Sequence, residues 1–350
     1  MEVIKPPSIK YGDTASDFLS KRIGDYITAH KDRFQHTRNN LRNKTSNETK
    51  RDETSEKVFV PVHINYKTFD PKEGPDERLV PIIFQHGGLA SIENWGNIPQ
   101  IFADETRRKV YALDARNHGD SGGSEALDRE ILAQDLIHFM NTNGIPKCIL
   151  IGHSMGGISG LLAALMQPAM FEMLFLEDCA VSPLPQKLRD LLPTYLSILQ
   201  GIISEVPPST NEEEARIFIK EKLMKLLPKD PSKVKTRHSK SLPFSVKRHS
   251  DGRYSLKTNL AAVIPHITSS WPDPKGVYEG PAFFLYGTNS PYEVYNDEEC
   301  IKRHFPNAEL IPIEGAGHAI HMSCPDEFME IVLKRLKITQ NNPIFQKNKL

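Results

Sequence analysis

Apolar positions along this chain change their period several times, and each change marks an element. Val58, Val60, Val62, Ile64 and Tyr66 alternate with other residues, as a strand on a half-exposed sheet does. Short apolar runs follow at 80–84, 110–113, 148–151, 173–176 and 282–286. Helical patterns over 130–141 and 158–166 separate several of them. Short buried strands alternating with helices predict an α/β fold: a mostly parallel central sheet with helices on both faces. Residues 182–275 break this rhythm and are expected to form a helical cap inserted over the sheet. Its clearest helix is predicted over 212–227, with Thr210 or Asn211 as cap, a glutamate run at its positive end and Pro228 as its stop. Leu188, Leu191, Leu192, Leu196 and Leu199 recur at helical spacing there, which predicts core or pocket wall rather than a membrane hook.

The amino-terminal part follows a different pattern. Leu19, Ile23, Ile27 and Phe34 suggest one amphipathic helix, and residues 35–57 are too poor in apolar side chains to bury a surface, so a flexible linker is expected. The organisation read from the sequence is therefore a helix and linker over 1–57, a core over 58–181 and 276–338, a cap over 182–275 and a tail over 339–350.

Composition narrows the function. With 44 Lys+Arg against 44 Asp+Glu, the chain lacks the basic excess of a nucleic-acid binder. It also has no apolar run near the roughly 18 residues that cross a bilayer. The four cysteines, Cys148, Cys179, Cys300 and Cys324, show no metal-ligand spacing and cannot form a disulfide scaffold, so neither a metal nor a cofactor is expected. A secretory h-region is missing. Glu2, Asp13, Asp17 and Asp25 are unlike an acid-poor transit peptide, leaving cytoplasm and mitochondrion both open within an intracellular reading. Sequons at Asn43 and Asn47 are read as chance matches. Between Lys225 and Lys257 ten Lys/Arg stand against two aspartates. A solvated face is the commoner reading of such a stretch, and attraction to an anionic lipid surface is the other.

The chemistry is concentrated in a few loops. Gly152-His153-Ser154-Met155-Gly156 lies between a strand and a helix, the context of a nucleophile elbow that lifts a serine hydroxyl above a sheet edge. A serine needs an adjacent base. His318, in Gly315-Ala316-Gly317-His318, comes late in the chain and is flanked by glycines; His321 is its near rival. The strand at 282–286 runs on into Gly287-Thr288-Asn289-Ser290-Pro291 with no carboxylate before Glu293, whereas the strand at 173–176 ends in Glu177-Asp178. Adjacent strand side chains point oppositely, so one of these two can face the site; Asp178 is preferred and Glu293 is the fallback. His86-Gly87-Gly88-Leu89 follows a strand, so the N–H groups of Gly88, with Leu89 next, and of Met155 are candidates for an oxyanion hole.

Together these segments resemble the α/β-hydrolase superfamily. Asp114-Ala115-Arg116-Asn117-His118-Gly119-Asp120-Ser121, the elbow with Gly157, and Asn289-Ser290 in place of a late acid narrow the resemblance to the alpha/beta-hydrolase domain-containing protein 11 family, over about residues 58–336. The resemblance carries the family's triad onto Ser154, Asp178 and His318. It implies a serine esterase or lipase acting on small acyl esters, diacylglycerol among them, without a cofactor. Acyl transfer or thioester cleavage with an alcohol or thiol is one alternative, and a non-catalytic binder on a hydrolase fold is another. Animal members carry a mitochondrial presequence, which the acidic amino terminus does not match, and no partner for residues 1–57 can be named.

Overall fold

The computed structural model describes residues 59–225 and 242–340, the last three as backbone. The amino-terminal helix, the linker, both sequons, Pro228 and nearly all of the tail lie outside the described residues.

The core sheet has seven strands among the described residues: β1 (Tyr66–Phe69), β2 (Ile82–Gln85), β3 (Val110–Leu113), β4 (Cys148–His153), β5 (Phe171–Glu177), β8 (Ala282–Gly287) and β9 (Ala308–Ile313). Their order is β1-β3-β2-β4-β5-β8-β9; β1 runs antiparallel to β3 and the remaining neighbours pair in parallel. Three of the apolar runs read from the sequence are extended by one to three residues, as β4, β5 and β8; the run at 80–84 is shifted to β2, and the run at 110–113 is β3 unchanged. The alternation at 58–66 yields much less strand than it predicts. Only Tyr66–Phe69 pairs with β3, because the chain before it bonds to the loop after β3 instead: Gly122 N–H donates to His63 O and Asp114 N–H to Asn65 O.

Parallel strands buried on both faces need two helical layers, and side-chain alternation sorts the residues between them. Ile83, Leu113, Leu150 and Leu174 pack with Leu136 and Phe139 of α2 (Arg129–Thr142), Leu161 of α3 (Met155–Met166) and Ile301 of α7 (Glu298–His304). Ile82, Phe84, Ile149, Ile151 and Phe175 face the other way. They meet Phe102 of α1 (Ile98–Thr106) and Phe328, Val332 and Leu336 of α8 (Pro325–Gln340). Each fully buried side chain of this kind contributes about 1.5–3 kcal/mol. The crossover direction that results brings the carboxyl ends of β2, β4, β5, β8 and β9 to one edge, where such folds build their sites.

Between β5 and β8 the chain leaves the sheet. It forms α4 (Gln186–Ser204), α5 (Glu212–Met224), a hairpin of β6 (Val246–Arg248) and β7 (Tyr254–Leu256), and α6 (Leu260–Thr268). The hairpin was not legible as such. Asn211 caps α5 in a reciprocal box with Glu214, which is worth about 1 kcal/mol. The segment has its own core: Leu196, Leu199, Ile202, Ile219, Phe244 and Leu256 cluster, with Leu89 of the sheet layer packed against them. Leu188 is buried too, and Leu191 and Leu192 are half-buried, so the leucine stripe is core. The segment is stapled at its base. Asp297 accepts from the N–H groups of Val181 and Ser182 at 2.7 and 3.1 Å, and Trp271 Nε1–H donates to the carbonyl of the same Val181 at 3.1 Å. No described helix is long and apolar enough to cross a membrane.

Candidate active site

Ser154 stands at the turn between β4 and α3 with φ 51° and ψ −116°, a conformation non-glycine residues rarely adopt and that costs about 1–3 kcal/mol. The surroundings hold it there. Its N–H donates to the Glu177 carbonyl at 2.8 Å, and its carbonyl accepts from Ile158 N–H at 2.9 Å. Gly156 has to be glycine because a Cβ there would fall on the Gln85 carbonyl oxygen, so close approach of α3 to β2 sets the motif's last position.

Asp178 follows β5 directly and also has a positive φ, 48°. Its side chain is completely buried, and it is surrounded by donors: Gly287 N–H reaches Oδ1 at 3.1 Å, while the Ser290 hydroxyl and His318 Nδ1 reach Oδ2, the latter at 2.6 Å. With Nδ1–H donating to the carboxylate, the His318 lone pair lies on Nε2. The His318 side chain keeps 27% of its surface exposed, against 8% for the Ser154 residue, so the histidine is the more accessible of the two.

Tyr292 completes the arrangement. Its ring lies flat on the His318 imidazole, 3.8 Å between centroids and 3° from parallel, which places its hydroxyl on the Ser154 side of the site. Burial pushes its phenol pKa up, so it stays neutral. Sequence reasoning missed Tyr292 and the role of Ser290. Only the absence of a late carboxylate before Glu293 hinted that this loop serves the acid in another way.

The rival residues are accounted for. Glu177 points away from Asp178 and pairs with His321, whose Nδ1 lies 2.8 Å from both carboxylate oxygens. Glu293 accepts from Asn296 at 3.0 Å. His86 bridges two loops, donating from Nδ1 to Gly87 O and accepting Ala115 N–H at Nε2, and burial pushes its pKa down. That bridge fixes the loop containing Gly88, where a Cβ would meet nothing within 4 Å, so this loop borders open space. Met155 opens α3, and the first N–H groups of a helix have no intrahelical acceptor. Leu89 (φ 67°) accepts from Ser245 N–H of the inserted segment at 2.9 Å.

The Asp114–Ser121 segment is architectural. The Asp114 carboxylate accepts from Asn65 Nδ2, Ile92 N–H and Asp120 N–H, and Arg116 makes a buried two-pronged ion pair with Asp135 at 2.5 and 2.6 Å. A cleft of about 590 Å³ lies between this segment and the insertion, bordered by Asn117, Gln200, Lys247, His249, Lys257 and Leu260. Its cationic rim is partly neutralised, since Lys257 pairs with Glu93 at 2.8 Å. Two donor clusters of the kind that hold metals occur among the described residues, His153–Glu177–His321 and Asp273–Cys300–His304. In the second, Arg303 already pairs with Asp273.

A sequence profile described as alpha/beta hydrolase fold matches residues 80–325. The zebrafish (Danio rerio) sn-1-specific diacylglycerol lipase ABHD11 is 32% identical over 287 residues, covering 81% of this chain and 85% of the relative. Ethanol acetyltransferase 1 of Hanseniaspora uvarum is 27% identical over 263 residues, covering 72% and 78%. Among solved structures, a marine microorganism esterase superposes with a TM-score of 0.61 at 26% identity, over 78% of this chain and 99% of its own. The profile match, the relatives and the parallel sheet with its elbow agree: this chain belongs to the alpha/beta hydrolase fold family, in the branch that holds the ABHD11 proteins.

Proposed function

We propose that the chain is a serine hydrolase of carboxylic esters that works through Ser154, His318 and Asp178. The observation that carries the reading is the 2.6 Å bond from His318 Nδ1 to the buried Asp178 carboxylate at the rim where Ser154 stands on its strained turn. The Ser154 hydroxyl attacks the acyl carbon while His318 Nε2 takes its proton. The N–H groups of Gly88 and Met155 receive the oxyanion, each such donor being worth about 2.7–4 kcal/mol. The alcohol leaves with the proton from His318, and water then attacks the acyl-enzyme through the same base. Asp178 holds the tautomer and stabilises the imidazolium. No step needs a cofactor.

The small-molecule substrate is an acyl ester, and the diacylglycerol lipases among the relatives support a glyceride or similar lipid ester. Residues 182–275 act as a cap that sizes the acyl pocket, a role supported by their separate core and by the tie between Ser245 and Leu89. Acyl transfer is the second reading, and the similarity to an ethanol acetyltransferase favours it: an alcohol then replaces water at the acyl-enzyme.

The test is turnover of p-nitrophenyl esters of graded acyl length by the full chain and by Ser154→Ala, with products analysed in the presence and absence of ethanol. Loss of turnover in the variant supports the serine mechanism, and ethyl ester formation adds transfer. Unchanged turnover in Ser154→Ala refutes it.

A further inference from the structure

Each residue of the proposed catalytic set has a close chain neighbour in a second constellation: His153 beside Ser154, Glu177 beside Asp178, and His321 three residues past His318. Opposite pointing at the end of β5 sends the two carboxylates to two different histidines. Asp178 takes His318, and Glu177 takes His321 at 2.8 Å, while the His321 N–H also donates to Glu177 at 2.9 Å. His153 Nε2–H donates to the His318 carbonyl at 3.0 Å. The Glu177 carbonyl, in turn, accepts the Ser154 N–H at 2.8 Å. Glu177 and His321 are 1% and 4% exposed, so these bonds are shielded from competing water.

We propose that Glu177, His321 and His153 are positioning residues: a buried clasp that holds the His318 segment against the segments of Ser154 and Asp178. The proposal rests on the function proposed above. The segment needs such a clasp because it is glycine-rich, with Gly315 at φ 73° and Gly317 directly before His318, and glycine loses the most conformational freedom on ordering. The clasp fixes both ends of the short stretch that carries the base, the His318 carbonyl by His153 and the main chain at 321 by Glu177. Burial keeps the His153 imidazole neutral down to about pH 3, so its Nε2–H remains a steady donor. The three residues also form one of the two donor clusters noted above, but zinc needs donors at about 2.0–2.2 Å around a shared centre. Here the His321 nitrogen and the Glu177 oxygens already share a proton at 2.8 Å, which is hydrogen-bond spacing.

His321 also touches apolar rings, Trp95 at 4.3 Å and Phe328 at 6.3 Å between centroids, so a packing role makes a competing demand. Three variants of the full chain separate the two. His321→Asn keeps a donor where Nδ1 stood, His321→Leu keeps the apolar contact, and Glu177→Gln keeps the volume but not the charge. Steady-state turnover of p-nitrophenyl butyrate is measured on folded protein, with active sites counted by the endpoint of fluorophosphonate labelling. Positioning predicts kcat within about threefold of the parent for His321→Asn. His321→Leu and Glu177→Gln should lose on the order of 10²-fold in kcat with KM changed less than about twofold, the effect of an ångström-scale misplacement. The reverse ranking of the two His321 variants, or a Glu177→Gln enzyme with parental kcat, overturns the proposal. Parental turnover by Ser154→Ala in the same assay overturns the serine mechanism itself, and the clasp with it.

Discussion

Asp178→Asn tests the identity of the acid with the least collateral damage. Asparagine matches aspartate in volume and is among the few residues that tolerate the left-handed backbone found at Asp178, so the turn itself should survive. The donors around the side chain then dictate how the amide sits. Gly287 N–H is fixed and needs an acceptor, so the amide oxygen takes the Oδ1 place and the NH2 group takes the place of Oδ2. Ser290 can turn its hydroxyl round to accept. His318 cannot adapt without cost: facing an NH2 donor, its Nδ1 must become the acceptor, which moves the proton to Nε2, where the serine proton has to go. A reversed tautomer of this kind costs about 10⁴ in kcat, which at 1.36 kcal/mol per decade is about 5 kcal/mol of transition-state stabilisation. Folding should lose only about 2 kcal/mol, for charge-assisted bonds replaced by neutral ones. The assay is kcat for a short p-nitrophenyl ester on protein shown to be folded by its thermal transition. A folded Asp178→Asn protein within about tenfold of parental kcat would refute the reasoning and move the acid elsewhere.

Three further outcomes follow from local physics. Ser154→Gly should abolish turnover yet raise stability by about 1 kcal/mol, because glycine relieves the positive-φ turn; an unchanged or lower Tm would mean that the turn stores no strain. Gly157→Ala places a Cβ 2.5 Å from Cys179 Sγ and should cost about 1–3 kcal/mol, with part of the loss recovered when Cys179→Ala is added; denaturant midpoints of the single and double variants decide it. Burial of His118, with His86 beside it, pushes its pKa from 6.5 down to about 3, and burial takes His153 to about 3 as well. Between those values the unfolded chain binds protons that the folded chain refuses. Stability should therefore be complete above about pH 6.5 and fall steadily toward pH 3. A Tm that stays flat from pH 7 to pH 4 would contradict this.

Most of the sheet was legible because apolar runs on doubly buried strands leave a one-dimensional trace. The strand predicted over 58–66 failed for a three-dimensional reason. Its alternation is real, but its main-chain partners lie in the loop at 114–122 rather than on a neighbouring strand. The strained turn at Ser154 could be read from local geometry, since Gly-x-Ser-x-Gly encodes a turn. The candidate acid and base each came with a neighbouring rival, Asp178 preferred over Glu177 and His318 over His321. In the fold all four are used, each carboxylate on its own histidine, and no local pattern encodes which is which. Ser290 and Tyr292 were invisible for the same reason: the partner of Ser290, Asp178, stands 112 residues away in the chain, and Tyr292 stacks on His318 of a separate loop. Of the basic stretch, residues 226–241 lie outside the described residues; in the described part Lys257 pairs with Glu93 and Arg253 with Asp251.

The staple at Val181 has a consequence for how such an enzyme can diversify. Val181 stands where the inserted segment leaves the core, its N–H held by Asp297 of the core and its carbonyl by Trp271 near the segment's far end. Between those anchors the chain is a side excursion from a closed scaffold, much as a variable loop is on an antibody framework. Its length and sequence can drift while the tether at its root, three residues beyond Asp178, passes little of that change to the Asp178–His318 pair. On the proposed function, substrate range and bond-breaking chemistry would then lie on separately mutable stretches of one chain.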